Sequence, residues 1–176
     1  MSAPASYYSK KSVYVPPVLA KWLRPHQREG VQFLYECVMS QRAFKGAGCI
    51  LADDMGLGKT LQSVTLIYTL LKTGITANGE ATAKRVIVVC PCSLVKNWDN
   101  EFIKWLGPSG GVKSLAIADQ DRKTVEKNID LFVKTKMFNV LIASYECIRT
   151  HAGRLNKHSH ACDLLVCDEA HRLKVS

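Results

Sequence analysis

Two short stretches carry residue types whose spacing could do chemistry. The first is Ala52-Asp53-Asp54-Met55-Gly56-Leu57-Gly58-Lys59-Thr60. A glycine-rich turn ending in Gly-Lys-Thr, entered from an apolar run and left through a helix, is the setting in which backbone cradles phosphate. Gly56 and Gly58 allow the turn that brings N–H groups close to phosphate oxygens. The helix N-terminus adds the positive end of its dipole. Lys59 is then placed for the β and γ phosphates of ATP, and Thr60 for a magnesium ion. Asp53 stands where the general pattern has glycine. A tight turn before a helix can be purely structural, but Gly-Lys-Thr after a buried strand favours the phosphate reading.

The second stretch is Leu164-Leu165-Val166-Cys167-Asp168-Glu169-Ala170-His171. An apolar strand delivers two acids at its carboxyl end. Asp168 is expected to hold magnesium, through water, and Glu169 to orient or deprotonate an attacking water. An isolated Asp-Glu pair after a strand is often a solvated turn; a phosphate loop in the same sheet gives this pair a task.

Those residues need a scaffold, and the apolar spacing describes one. Pro25 at a first-turn position, then Val31, Leu34 and Val38, predicts a helix. Gly48 to Ala52 is expected to be a short buried strand, followed by a helix from Lys59 to about Leu71. Residues 73–84 contain Gly74, Asn78 and Gly79 and predict a loop. Arg85 to Cys90 is a continuous apolar strand stopped by Pro91. Helical spacing resumes from Leu94 to Leu106, and its Trp98 and Trp105 are expected in the core. Lys113 to Ala118, Phe138 to Ala143 and Asp163 to Cys167 are further strands, with a charged amphipathic helix at 121–136. Short Val/Ile/Leu strands alternating with helices imply βαβ units and a parallel sheet buried on both faces. In such sheets ligands sit at the carboxyl ends of the strands, where both stretches are expected. The first ~20 residues, rich in proline, tyrosine and serine, predict an extended arm.

Composition narrows the class. The 176 residues are 47% hydrophobic and 22% charged, which fits one globular domain and argues against disorder. No apolar run approaches the ~20 residues that span a bilayer, and an intracellular protein is expected. The seven cysteines include no Cys-x-x-Cys pair, and His158, His160, Cys162, Cys167 and His171 read as a polar loop plus the acidic motif rather than a zinc site. Net charge is +9, with seven Lys/Arg against two acids in residues 1–45 and eleven against eight in 111–176. That surplus favours a polyanionic partner without requiring one.

The Asp-Glu-Ala-His run resembles superfamily-two helicase-like ATPases. Within them, Leu23-Arg24-Pro25-His26-Gln27-Arg28-Glu29-Gly30, the Asp53-to-Thr60 loop and Arg172-Leu173-Lys174 resemble the SNF branch, where an acid also occupies the position of Asp53. Cys90-Pro-Cys-Ser-Leu-Val-Lys-Asn-Trp98 and Lys104-Trp-Leu-Gly107 are most similar to its recombination-repair translocases, the radiation-sensitivity group. Asp54, usually Glu in the branch, and Ala170, often Gly in the group, depart from the pattern. The resemblance spans about residues 15–174. It implies a three-layer α/β RecA-like phosphate-loop lobe with a mostly parallel sheet over residues 21–176, behind an arm at 1–20.

By the same resemblance, Gln27 reads the adenine edge and residues 53–60 hold Mg-ATP. Ser93, Lys96 and Asn97, with Ser144, Tyr145 and Glu146, touch the DNA backbone. The implied activity is a DNA-dependent ATPase that moves on double-stranded DNA in homologous-recombination repair and chromatin remodelling. It would work in the nucleus, with a recombinase filament or nucleosomes as partners. The family's second lobe, which supplies an arginine to the site, is not in this sequence, and Lys174-Val175-Ser176 replaces the usual continuation. A truncated isoform or gene model is therefore expected, weak or inactive alone. The rival expectations are an inactive module that binds ATP, DNA or a partner, and an RNA helicase of the Asp-Glu-Ala-His type.

Overall fold

The computed structural model describes residues 12–173 except 45, 55 and 76–79. Four strands form one parallel sheet in the order β2-β3-β1-β4: β1 is Val86–Cys90, β2 Ser114–Ile117, β3 Val140–Ser144 and β4 Leu164–Cys167. β1 lies between β3 and β4, pairing Val88 with Ile142 on one side and with Val166 on the other. Every residue of β1 and β3 is buried, as the continuous apolar runs require of strands covered on both faces.

Alternation along those strands divides the core. Val86, Val88 and Cys90, with Val140 and Ile142, face one cluster; Ile87, Val89, Leu141 and Ala143 face the other. The first face is covered by α2 (Pro25–Val38), α3 (Lys59–Lys72) and α4 (Val95–Leu106). The second is covered by α5 (Arg122–Lys134), through Val125, Ile129, Phe132 and Val133, and by α6 (Tyr145–Leu155), through Leu155. The result is three layers with the sheet in the middle. The helices at Pro25, Lys59, Val95 and Arg122 begin within one residue of their expected starts, because each opens at a strong local signal. Pro25 sits in the first turn of α2, and the Asp121 side chain caps α5 by accepting from the Thr124 N–H at 3.1 Å.

Two expectations are corrected and one element is added. Gly48 to Ala52 forms no strand: Gly48 has φ +117°, Ile50 is 82% exposed, and no described strand pairs with this run. Apolar side chains favour a strand only where a neighbouring ladder is open to them, and this run has none beside it. Part of the expected arm is also structured. Pro17–Ala20 is a short helix, α1, whose Leu19 is fully buried, with Val15 and Val18 packed on the first cluster. Residues 1–11 of that arm lie outside the described residues. Finally, α6 was not anticipated. Only Leu155 is buried along it, so hydrophobic spacing is faint, yet Ser144 caps it from the end of β3.

Candidate nucleotide site and its surroundings

The phosphate loop is fixed from three directions. Gly58 is the residue before α3, in the left-handed region at φ 79°, ψ 37°. A side chain there would be strained, and its Cβ would run into Gln27 Nε2. Gln27 is buried: its Nε2–H donates to Leu57 O at 3.2 Å while its Oε1 accepts from Arg24 N–H at 3.0 Å. The amide expected to read adenine thus braces the loop against the start of α2. His26 Nε2 lies 3.4 Å from the same carbonyl.

From inside the fold, Gln62 Nε2–H donates to Asp53 Oδ2 at 3.2 Å. Gln62 is fully buried and its Oε1 has no partner among the described residues. Gly30 of α2 passes so close to that oxygen that a Cβ would collide with it. Asp53, the acid at the glycine position, is therefore anchored to α3. The third restraint is Lys59, whose Nζ donates to Asp53 O at 2.6 Å and Asp54 O at 2.9 Å. Lys59 and Thr60 open α3 and are half-buried; Asp54, Gly56 and Leu57 are exposed. Met55 lies outside the described residues.

The acidic pair ends β4 as expected. Asp168 N–H donates to Val89 O at 2.8 Å, so the strand's ladder carries the residue to the carboxyl edge beside β1. Its carboxylate is held at both oxygens: Trp98 Nε1–H donates to Oδ2 at 2.9 Å and Glu169 N–H to Oδ1 at 3.0 Å. Tyr145 O–H donates to Asp168 O at 2.7 Å. Burial pushes the Tyr145 phenol up to about 12, with the Cys167 thiol and the Asp168 charge adding to it, so it remains a donor. Glu169 turns sharply at φ 54°, outside the usual range for a residue with a side chain, and its carboxylate is exposed 3.3 Å from His171 Nδ1. Arg172 pairs with Glu146 at 3.2 Å and lies over the Tyr145 ring. Among the described residues, no hydrogen bond or ion pair joins residues 53–60 to Asp168 or Glu169.

The remaining candidates divide by exposure. Ser93, Lys96 and Asn97 lie exposed at the start of α4 and the 3₁₀ turn before it. Ser144 is buried and its Oγ accepts from Cys147 N–H at 3.1 Å. Glu146 is exposed in the first turn of α6. Trp98 takes the core place expected of it at 4% exposure, whereas Trp105 is only half-buried at the rim of the core, edge-on to the exposed Trp22. Sequence reasoning missed that Trp98 and Gln62 hold the carboxylates of Asp168 and Asp53, and that Tyr145 holds the Asp168 backbone carbonyl. The usable signal was burial itself, since an indole N–H or an amide placed in a core needs a polar partner.

Residues 26–176 match the SNF2-related domain. The chain belongs to that family. Its curated relatives in the SNF2-related family include the rice DNA repair and recombination protein RAD54 (Oryza sativa subsp. japonica). That protein is 51% identical over 165 residues, covering 93% of this chain and 16% of the rice protein. Human RAD54-like is 48% identical over 168 residues, covering 93% of this chain and 22% of its own. The chain thus spans only about a fifth of such relatives. Among solved structures it is similar to the Sulfolobus solfataricus SWI2/SNF2 ATPase core in complex with dsDNA. The TM-score is 0.60 at 26% identity, over 96% of this chain and 28% of that one. The parallel sheet between helical layers is the RecA-like arrangement of such an ATPase core.

Proposed function

We propose that this chain is the nucleotide-binding part of an ATP-driven motor that moves on double-stranded DNA in recombinational repair and chromatin remodelling. The observation that carries the reading is the braced loop, with Gly58 left-handed ahead of α3 and Lys59 and Thr60 in its first turn. That geometry aims backbone N–H groups and a helix N-terminus at one anion. The choice of DNA rests on the relatives, which are named for DNA repair and recombination, and on the solved neighbour, described in complex with duplex DNA.

The donors fit Mg-ATP. Thr60 hydroxyl and Asp168 carboxylate are hard oxygen donors of the kind magnesium takes. Thr60 and Asp168 would hold a magnesium ion there, which would supply neutralisation of charge developing on the phosphates. Lys59 Nζ, which donates to the carbonyls of Asp53 and Asp54, would reach the phosphates. Residues 53–60, with Asp54 and Met55 among them, wrap the triphosphate. Gln27 couples the loop to the base side through its amide, and Glu169 orients the attacking water. Ser93, Lys96 and Asn97 meet the DNA backbone, where contacts carry no sequence preference; Ser144 and Tyr145 support the neighbouring contact from α6. Such a protein works in the nucleus, with a recombinase filament or nucleosomes as its protein partners.

One observation favours a second reading for the 176-residue chain on its own. With Lys59 tied to its own loop and Glu169 exposed, it could bind nucleotide or DNA without turning over. ATP hydrolysis measured with and without duplex DNA, against Lys59→Ala, separates the two. Turnover that DNA raises and Lys59→Ala abolishes supports the motor; binding without turnover supports the module.

A further inference from the structure

Asp168 receives three hydrogen bonds, and two come from the surface segments assigned above to DNA. Trp98 follows Lys96 and Asn97 in the first turn of α4, and its indole N–H donates to Oδ2 at 2.9 Å. Tyr145 is the first residue of α6, and its hydroxyl donates to the Asp168 carbonyl at 2.7 Å. Trp98 is 4% exposed and packed beside Phe102 of the same helix, so its indole is buried with α4. A buried indole needs an acceptor, but a backbone carbonyl would serve. Here it takes one oxygen of a carboxylate whose other oxygen is held by Glu169 N–H at 3.0 Å. Each carboxylate oxygen keeps a lone pair for a metal-bound water, while the two donors select one orientation, as supporting partners of metal ligands do.

We infer that Trp98 and Tyr145 are positioning residues that couple contacts at the N-termini of α4 and α6 to the carboxylate assigned to magnesium. The inference rests on the function proposed above. A phosphate drawn onto Lys96 and Asn97 orders the first turn of α4; Trp98 carries that order to Oδ2, and Tyr145 fixes the backbone beneath it. The bound duplex then favours the arrangement of Asp168 that accepts Mg-nucleotide. Coupling of this kind is reciprocal, so Mg-nucleotide must tighten duplex binding by the same factor.

The test uses equilibrium binding alone. Affinity for a fluorescent, non-hydrolysable ATP analogue is measured with Mg²⁺, with and without a saturating short duplex, and duplex affinity is measured with and without the analogue. In the parent chain the two ratios should agree, within the roughly 5- to 150-fold range usual for coupled sites. Trp98→Phe keeps a ring in the core and removes the N–H; both ratios should fall toward one while affinity for duplex alone holds. A merely structural role would lower stability and leave the ratio intact. Tyr145→Phe, which removes one hydroxyl, should lower the ratio too, and carries the test if Trp98→Phe does not fold. Unchanged ratios in a folded variant overturn the inference, as does a parent chain that binds Mg-nucleotide indifferently to DNA, a result that leaves the nucleotide site standing. A parent chain that binds no nucleotide removes the proposed function and the inference together.

Discussion

Gly58 shows how one residue sets the site. Its left-handed backbone and the nearness of Gln27 Nε2 disfavour any side chain. Gly58→Ala therefore meets about 1–2 kcal/mol of backbone strain, and the Leu57 carbonyl loses its brace as Gln27 yields. Nucleotide affinity should fall by about tenfold or more, since about 1.4 kcal/mol is a factor of ten. Titration calorimetry with Mg-ATP checks this, and wild-type affinity in the variant would show that the brace is incidental. At this scale the sequence named the candidate positions and left their partners blank. Lys59, Thr60, Asp168 and Glu169 stood out because their types and spacing suit phosphate and metal chemistry, the roles proposed for them. That Trp98 finds Asp168 seventy positions away was not legible, because the contact exists only once α4 has packed on the sheet.

Elements were legible where one local signal dominates. The fully buried strands β1 and β3 and the helices opened by Pro25 and Asp121 announce themselves. The run from Gly48 to Ala52 misled because a strand is a property of its neighbours as well as its own side chains, and α6 was silent because it is mostly polar. The polar face of α6 has its own role. Arg154 reaches across to Asp130 at 2.9 Å and Glu126 at 3.0 Å on α5. The Glu126 carboxyl is held below its ordinary range, first by the Arg122 hydrogen bond, and Asp130 first by that from Lys134. Both acids also feel the Arg154 charge. For carboxyls held low in the folded state, the stabilisation is present above the ordinary carboxyl range near about 4. It is lost as pH falls through that range and below. Thermal melts should therefore drop on acidification, with a shallower drop in Arg154→Ala; identical slopes would show that the pairs do not matter. Because these groups remain partly open to solvent, the effect at neutral pH should be small.

At the scale of the whole molecule, charge and architecture point the same way. A net charge of +9 would displace condensed counterions from a polyanion, so duplex binding should weaken steeply with salt. Filter-binding or anisotropy across salt concentrations reads the slope. Lys96→Ala should make it shallower by about one counterion, and an unchanged slope would remove Lys96 from the interface. The sheet brings the Asp168 turn and the N-termini of α4 and α6 to one carboxyl edge, the arrangement on which the proposed sharing of a carboxylate between nucleotide and DNA rests. That shared edge is the central claim, and ATP turnover tests it most directly. The protein should hydrolyse Mg-ATP faster with duplex DNA than with duplex RNA or no nucleic acid, and Lys59→Ala should abolish the stimulated rate. Turnover indifferent to DNA, or surviving Lys59→Ala, would contradict it.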